Sequence, residues 1–272
     1  MTNMGTDESG GQLAGRVAVI TGAGDGIGRG IARRYAAEGA RVLVAEIDER
    51  TGEAVVAELR DDFGAEAVFL RTDVCEKADN LAMIDEAVAR YGTIDILVNN
   101  AWGGGSLGRV EHKTDAQVER GMRMGFYGPM WAMQAAFPIM KAKGYGRMIN
   151  ICSLNGVNAH MGTLEYNTAK EALRTLTRTA AREWAPTGVV ANVICPGALT
   201  AASRAVFARN PEIKAQAEAS NPMGRLGDPE RDIAPVALFL ASEGCRYMTG
   251  NTLFVGGGTH INGSAWAPQL PD

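Results

Sequence analysis

The sequence predicts a doubly wound α/β domain, a parallel seven-stranded sheet with helices on both faces, and three observations predict it. From Arg16 onward, short apolar runs rich in β-branched residues alternate with longer segments of helical period. The first run passes directly into a glycine-rich turn and then a helix, TGAGDGIG followed by RGIARRYAAEG. No internal repeat or linker divides the 272 residues, so residues 14–262 read as one domain.

The strands follow in order as RVAVIT (16–21), ARVLVAE (40–46), AVFLRTD (67–73), IDILVNN (94–100), GRMINICS (146–153), GVVANVICPG (188–197) and NTLFVGG (251–257). Right-handed crossovers join parallel strands, and the helices that supply them are expected at 27–38, 49–63, 77–90, 115–143 and 163–184. Gly39, Gly64, Gly92 and Gly144 stop four of them. Trp131 and Met133, on the long helix, are assigned to the core or to a subunit contact. Residues 200–221 are polar, helical in tendency and outside the β-α rhythm, which marks a lid over the mouth of a site. Residues 1–13 are expected to be disordered, and 263–272 form a polar, proline-bearing tail.

Composition narrows the partners. The chain is 46% hydrophobic and 21% charged, and 27 Lys and Arg against 31 Asp and Glu give a formal net charge of -4. Such a balance holds no polyanion, so nucleic acid is not expected. No apolar run approaches membrane-spanning length, and the opening MTNMGTDESGGQ lacks the basic and apolar regions of a signal peptide, which predicts a cytoplasmic protein without membrane partners. Cys75, Cys152, Cys195 and Cys245 form no CxxC pair and read as free thiols in a reducing compartment. His112, His160 and His260 share no ligand spacing, so no metal is expected.

Gly22, Gly26 and Gly28 let the backbone turn sharply towards a pyrophosphate, while the helix beginning at Ile27 offers unpaired amides and a positive dipole end. The strict GxGxxG spacing does not occur. The second strand ends at Glu46, 18 residues past Gly28, where a carboxylate accepts from an adenosine ribose diol. Asp25 precedes Gly26 and Ala45 precedes Glu46, so no basic residue awaits a 2'-phosphate and two carboxylates repel one. The cofactor expected is NAD.

YNTAK puts Tyr166 and Lys170 four apart on one helix face. A free phenol titrates near pKa ~10. An adjacent ammonium and an oxidised nicotinamide favour its phenolate, which can then exchange a proton with an alcohol. Ser153, thirteen residues before Tyr166, closes the fifth strand and can hold the carbonyl oxygen.

With these residues in order the chain resembles the short-chain dehydrogenase/reductase family over about residues 14–262. TGAGDGIG is similar to that family's TGxxxGxG, NNA at 99–101 to the start of its NNAG, Ser153, Tyr166 and Lys170 to its S-x12-Y-x3-K, and NVICPG at 192–197 to its N-x-x-x-PG turn. PMGRLGDPERDIAPVALFLAS resembles its late helix. The resemblance implies a Rossmann-like domain with Asp73 and Val74 beside adenine, Asn100 and Ala101 beside the ribose, and Pro196, Gly197 and Leu199 beside the nicotinamide. Tyr166 and Lys170 would also hold the nicotinamide ribose. It further implies a homotetramer or dimer built through the helices at 115–143 and 163–184.

The pattern departs from the family at several points. Gly125 stands where a fourth catalytic residue, an asparagine, is usual; an ordered water near Lys170, or the side chain of Asn155, is expected to compensate. Asparagine at 125 is expected to be accepted, because it restores the amide and glycine is a poor helix former. Trp102 replaces the glycine of NNAG, Gly256 an aspartate, and Thr200 comes one place before the family's usual threonine.

Trp102, Leu154, Met161, Leu164 and Phe207, together with Leu199, suggest an apolar substrate wall. The leading expectation is therefore an NAD-dependent oxidoreductase that interconverts a hydrophobic secondary alcohol, cyclic or steroid-like skeletons included, and its ketone. A 3-oxoacyl thioester reductase is the second; its acidic carrier would need a basic patch, for which Arg109, Arg204 and Arg209 are candidates diluted by Glu111, Glu212 and Glu218. A catalytically weak NAD-binding sensor or scaffold is the third, favoured by Gly125 and opposed by the intact Ser153, Tyr166 and Lys170.

Overall fold

Parallel strands cannot be joined by hairpins, so each connection in this chain crosses a sheet face and leaves a helix there. The computed structural model describes residues 11–105, 107–199, 204 and 207–261. Its strands are β1 (Val17–Thr21), β2 (Arg41–Glu46), β3 (Ala67–Arg71), β4 (Ile96–Asn99), β5 (Gly146–Ile151), β6 (Val189–Pro196) and β7 (Thr252–Val255). They form one sheet in the order β3-β2-β1-β4-β5-β6-β7, and every pairing is parallel. The helices are α1 (Gly26–Ala37), α2 (Glu49–Phe63), α3 (Lys77–Tyr91), α4 (Asp115–Met122), α5 (Gly128–Lys143), α6 (Leu154–Val157), α7 (Leu164–Trp184), α8 (Pro211–Ala219) and α9 (Ala234–Ala241).

Side-chain alternation divides the core between the two faces. Ala18 and Ile20 of β1 pack with Ile31 and Tyr35 of α1, Leu59 of α2 and Leu240 of α9. Val17 and Val19 pack on the other face with Met83 of α3, Met133 and Met140 of α5, and Ala180 of α7. Both faces are covered, which is why the central strands read as unbroken apolar runs. Between β1 and β4 the strand order reverses, and the loops leaving their carboxyl ends diverge. That divergence positions the site.

Asp48 caps α2 by accepting from the Thr51 amide (3.1 Å), and Thr114 with Gln117 forms a capping box on α4. Gly64, Gly92 and Gly144 take the left-handed conformation that ends α2, α3 and α5.

Three expectations need correction. The segment 115–143 is two helices joined by a wide π turn, Arg123–Tyr127. A Cβ at Gly128, just after that turn, would lie 2.3 Å from the Val74 carbonyl oxygen, so the backbone itself packs on the loop after β3. β5 stops at Ile151, and Ser153 is the N-cap of α6 rather than a strand residue, its Oγ accepting from the Asn155 amide at 3.1 Å. Residues 11–13 are ordered: Leu13 is fully buried and its amide donates to the Glu38 carbonyl at 3.0 Å. The rest of the expected disordered segment, and the tail at 263–272, lie outside the described residues.

Candidate active site

At the carboxyl ends of β1, β4, β5 and β6 lies one continuous cleft of about 1620 Å³. Gly22, Asp25, Gly26, Ile27, Glu46, Asp73, Val74, Asn100, Ala101, Pro196 and Gly197 line it together with Ser153, Tyr166 and Lys170. The sequence-predicted cofactor and catalytic groups thus meet in one space, with two exceptions. Gly28 lies behind the loop, where a Cβ would come within 2.2 Å of the Gly22 carbonyl oxygen, so it sets loop-to-helix packing and does not line the cleft. Leu199 is also off the cleft, its amide bound to the Gly227 carbonyl at 2.8 Å.

The loop geometry suits a dinucleotide. Gly22 and Gly26 sit at φ +63° and +57°, which side chains rarely adopt, and their turn delivers the N-terminus of α1 to the cleft. Asp25 caps that helix, its Oδ1 accepting from the Gly26 amide at 2.6 Å. Glu46 turns one oxygen to the Gly24 amide (3.0 Å) and the other to the amides of Ile47 (2.8 Å) and Asp48 (3.2 Å), which fixes its carboxylate at the end of β2. Asn100 donates to the carbonyls of Thr21 and Gly22, both at 3.0 Å, so it clamps the loop as well as lining the cleft. One expectation changes here: a basic residue does approach this corner. Arg204 pairs with Asp25 at 3.5 Å and also reaches the Leu199 carbonyl at 3.3 Å.

On the catalytic side, α6 carries Ser153 at its cap and α7 carries Tyr166 and Lys170 one turn apart. Burial raises the Tyr166 phenol above 10.0, and the hydrogen bond from Ser153 pulls it back. Burial likewise lowers the Lys170 ammonium from 10.5. Lys170 is 3% exposed and donates to the Ile151 carbonyl at 2.7 Å, which ties α7 to the end of β5. Trp102 stands edge-on to Tyr166 with ring centroids 4.7 Å apart, and the Lys170 Nζ lies 5.4 Å from the indole centre. Beside Tyr166, Glu165 forms a buried ion pair with Lys113 at 2.8 Å, a link between the start of α7 and the segment before α4 that the sequence did not announce.

Of the expected substrate wall, Trp102, Leu154 and Phe207 line the cleft. Met161 does not: it is 96% exposed, because the turn that carries it points outwards. Leu164, in the first turn of α7, is off the cleft as well. Polar residues join the lining instead, among them Glu119 and Arg120 of α4 and Arg123 of the π turn; Arg120 donates to the Gly103 carbonyl at 3.2 Å. Nothing in their spacing marks them, and only the docking of α4 beside the Trp102 loop brings them in. Cys152 and Cys195 also line it, a position readable from their adjacency to Ser153 and Pro196; burial drives both thiols up, Cys195 to about 11. Asn155, expected near Lys170, lines the open cleft rather than the space beside Gly125. Phe207, Ala217 and Ser220 of the expected lid reach the cleft, while Thr200 lies outside the described residues.

Gly125 overturns an expectation. A Cβ there would lie 2.8 Å from the Ala169 Cβ and 2.9 Å from the Trp102 indole, so the space that an asparagine would need is occupied. The two departures from the family pattern are one feature, in which the indole of Trp102 fills the place of a side chain at 125.

The profile of the family described as Enoyl-(Acyl carrier protein) reductase matches residues 22–260. A 12alpha-hydroxysteroid dehydrogenase from a Clostridium species is 36% identical over 250 residues, covering 90% of this chain and 96% of its own. A 2,5-dichloro-2,5-cyclohexadiene-1,4-diol dehydrogenase from Sphingobium indicum is also 36% identical, covering 92% and 98%. Among solved structures, a putative NAD(P)-dependent gluconate 5-dehydrogenase from Beutenbergia cavernae with bound NADP superposes with a TM-score of 0.85 at 33% identity, covering 92% and 98%. Shared over nearly its whole length, these likenesses agree with the cleft: the chain belongs to the short-chain dehydrogenase/reductase family, as a nicotinamide-dependent oxidoreductase acting on CH-OH groups.

Proposed function

We propose that the protein interconverts a hydrophobic, cyclic secondary alcohol and its ketone with NAD. The observation that carries this reading is the placement of Ser153, Tyr166 and Lys170 in one cleft with the glycine turn, beneath the flat apolar edge of Trp102. A bound nicotinamide supplies or accepts the hydride. Ser153 donates to the substrate oxygen, Tyr166 takes or gives the proton at that oxygen, and Lys170 fixes the register of α7 and favours the phenolate by its charge. Leu154 and Phe207 extend the apolar surface beside Trp102. Relatives named for a hydroxysteroid and a cyclohexadiene diol, both cyclic alcohols, support this class.

NAD is favoured over NADP in this reading because Glu46 is locked at the end of β2 and the Arg204 that approaches is engaged by Asp25. A preference of about tenfold needs only ~1.4 kcal/mol of differential binding. The proposal extends to a cytoplasmic homo-oligomer: Cys152, Cys195 and Cys245 are buried free thiols, and the 42% exposed Tyr127, stacked on Trp131, faces out from the segment expected at a subunit contact. No helix among the described residues is long and apolar enough to cross a membrane.

Turnover on a panel of cyclic and acyclic secondary alcohols, sugar acids and 3-oxoacyl thioesters, with Kd measured for both cofactors, tests the reading. Cyclic alcohols should lead in kcat/KM with NAD bound more tightly. A thioester or sugar acid in front, or equal cofactor affinities, would replace the corresponding part.

A further inference from the structure

Behind the catalytic lysine, on the side away from the open cleft, is a cavity of about 10 Å³, room for one water. Lys170, Gly125, Thr21, Asn99 and Asn80 are in its wall. Asn80 belongs to α3 and is 1% exposed. Its Nδ2 donates to two carbonyls, Val74 at 2.9 Å and Glu76 at 2.8 Å. Those two acceptors fix the amide orientation, since the flipped form would set oxygen against oxygen. The Oδ1 is thereby left as a buried acceptor with no partner among the described residues, a costly state unless a water relieves it.

Lys170, in the wall of the same cavity, has the reverse need: an ammonium has three donors, and one of them goes to the Ile151 carbonyl. A single water placed there would accept from Lys170 and donate to the Asn80 Oδ1, relieving the buried oxygen and engaging a second of the three ammonium donors. Gly125 contributes only backbone to the wall of this cavity, because the direction in which its side chain would grow is taken by Ala169 and the Trp102 indole. We infer that Asn80 is a positioning residue of the reaction: it holds a water against the Lys170 ammonium and so maintains the charge that Tyr166 depends on. The helix that does this is α3, not the one on which the family pattern places its asparagine.

The inference rests on Tyr166 and Lys170 being the catalytic pair, and its test separates the two. Valine and threonine have the same shape, so Asn80→Val and Asn80→Thr lose the same amide bonds and differ only in a hydroxyl. In the alcohol-oxidation direction, Asn80→Val is expected to move the acidic limb of kcat/KM up by about one pH unit, because an ammonium without its water favours the phenolate less. Asn80→Thr should recover at least half of that shift, and the KM for the cofactor should stay within about twofold. A crystal structure of the unaltered protein should show an ordered water within hydrogen-bonding distance of both Asn80 Oδ1 and Lys170 Nζ. A dry cavity, or equal limbs in the two variants whatever their melting temperatures, would overturn the role of Asn80. Retained turnover in Tyr166→Phe would instead remove the catalytic assignment beneath it.

Discussion

The phosphate turn and the Trp102–Gly125 contact both depend on glycine, but for different reasons. In the turn, Gly22 and Gly26 are required by their own backbone angles and Gly28 by a carbonyl six residues before it. Asn100 crowds Gly22 and Gly28 as well, and Ala101 crowds Gly22, but the backbone angles and the carbonyl are constraints that no side-chain change elsewhere relieves. Gly125 has helical neighbours and ordinary backbone angles, and what forbids a side chain there is an indole from the loop after β4 and a methyl from α7. One glycine motif serves conformation, the other a three-body fit. The decisive constraint of the first can be read along the chain, that of the second only across it.

Substitutions can sharpen this contrast, starting with the change that leaves both glycine sites intact. Tyr166→Phe removes the transferable proton and almost no volume, so turnover is expected to fall by about 10²–10⁴ while cofactor Kd and melting temperature hold. Steady-state kinetics with equilibrium titration would check it, and activity within tenfold of the unaltered protein would mean that the proton is handled elsewhere.

Gly28→Ala drives a methyl into the Gly22 carbonyl, and overpacking against backbone costs about 1–3 kcal/mol. Cofactor affinity should weaken with it, and no second substitution at 102 should restore it. Thermal melts and cofactor titration of the single and double variants measure both halves of that statement.

Gly125→Asn should be destabilised by a comparable ~1–3 kcal/mol, since the Ala169 Cβ and the indole are both too close. Here Trp102→Gly should return part of the loss, leaving the share due to Ala169. A double-mutant cycle with a coupling energy of about 0.5 kcal/mol or more identifies the contact. Additive losses would show that the indole and residue 125 do not share this space.

The smallest expected effect is in the pH dependence of stability near Lys170. Burial lowers its folded pKa below the unfolded 10.5, so between those two values the unfolded chain binds more protons than the folded one. Stability contributed at this residue therefore rises with pH through that window and is flat below it. Lys170→Met should lack the rise, and the difference between the two proteins in denaturant titrations should grow as pH approaches 10.5 from below. Tyr166 acts oppositely above 10.0, where its raised folded pKa makes the unfolded chain ionise first.

The sequence alone determined the sheet, the helix stops and the chemistry-bearing residues. Strand and helix periods repeat within a few residues, cap and turn requirements belong to single positions such as Asp48 and Gly64, and a serine, a tyrosine and a lysine at fixed spacing need only the segment after one strand and one helix to meet. Tertiary structure alone decided how the site is lined and supported. The π turn leads into Gly128 where its backbone packs on Val74, Met161 faces out because of the turn that carries it, and the Lys113–Glu165 pair joins segments without a shared pattern. Asn80 reads in sequence as one more polar residue in the first turns of a helix. It becomes a candidate only when α3 packs behind Lys170 and leaves its oxygen without a partner, because a buried polar atom acquires its meaning from what surrounds it in space.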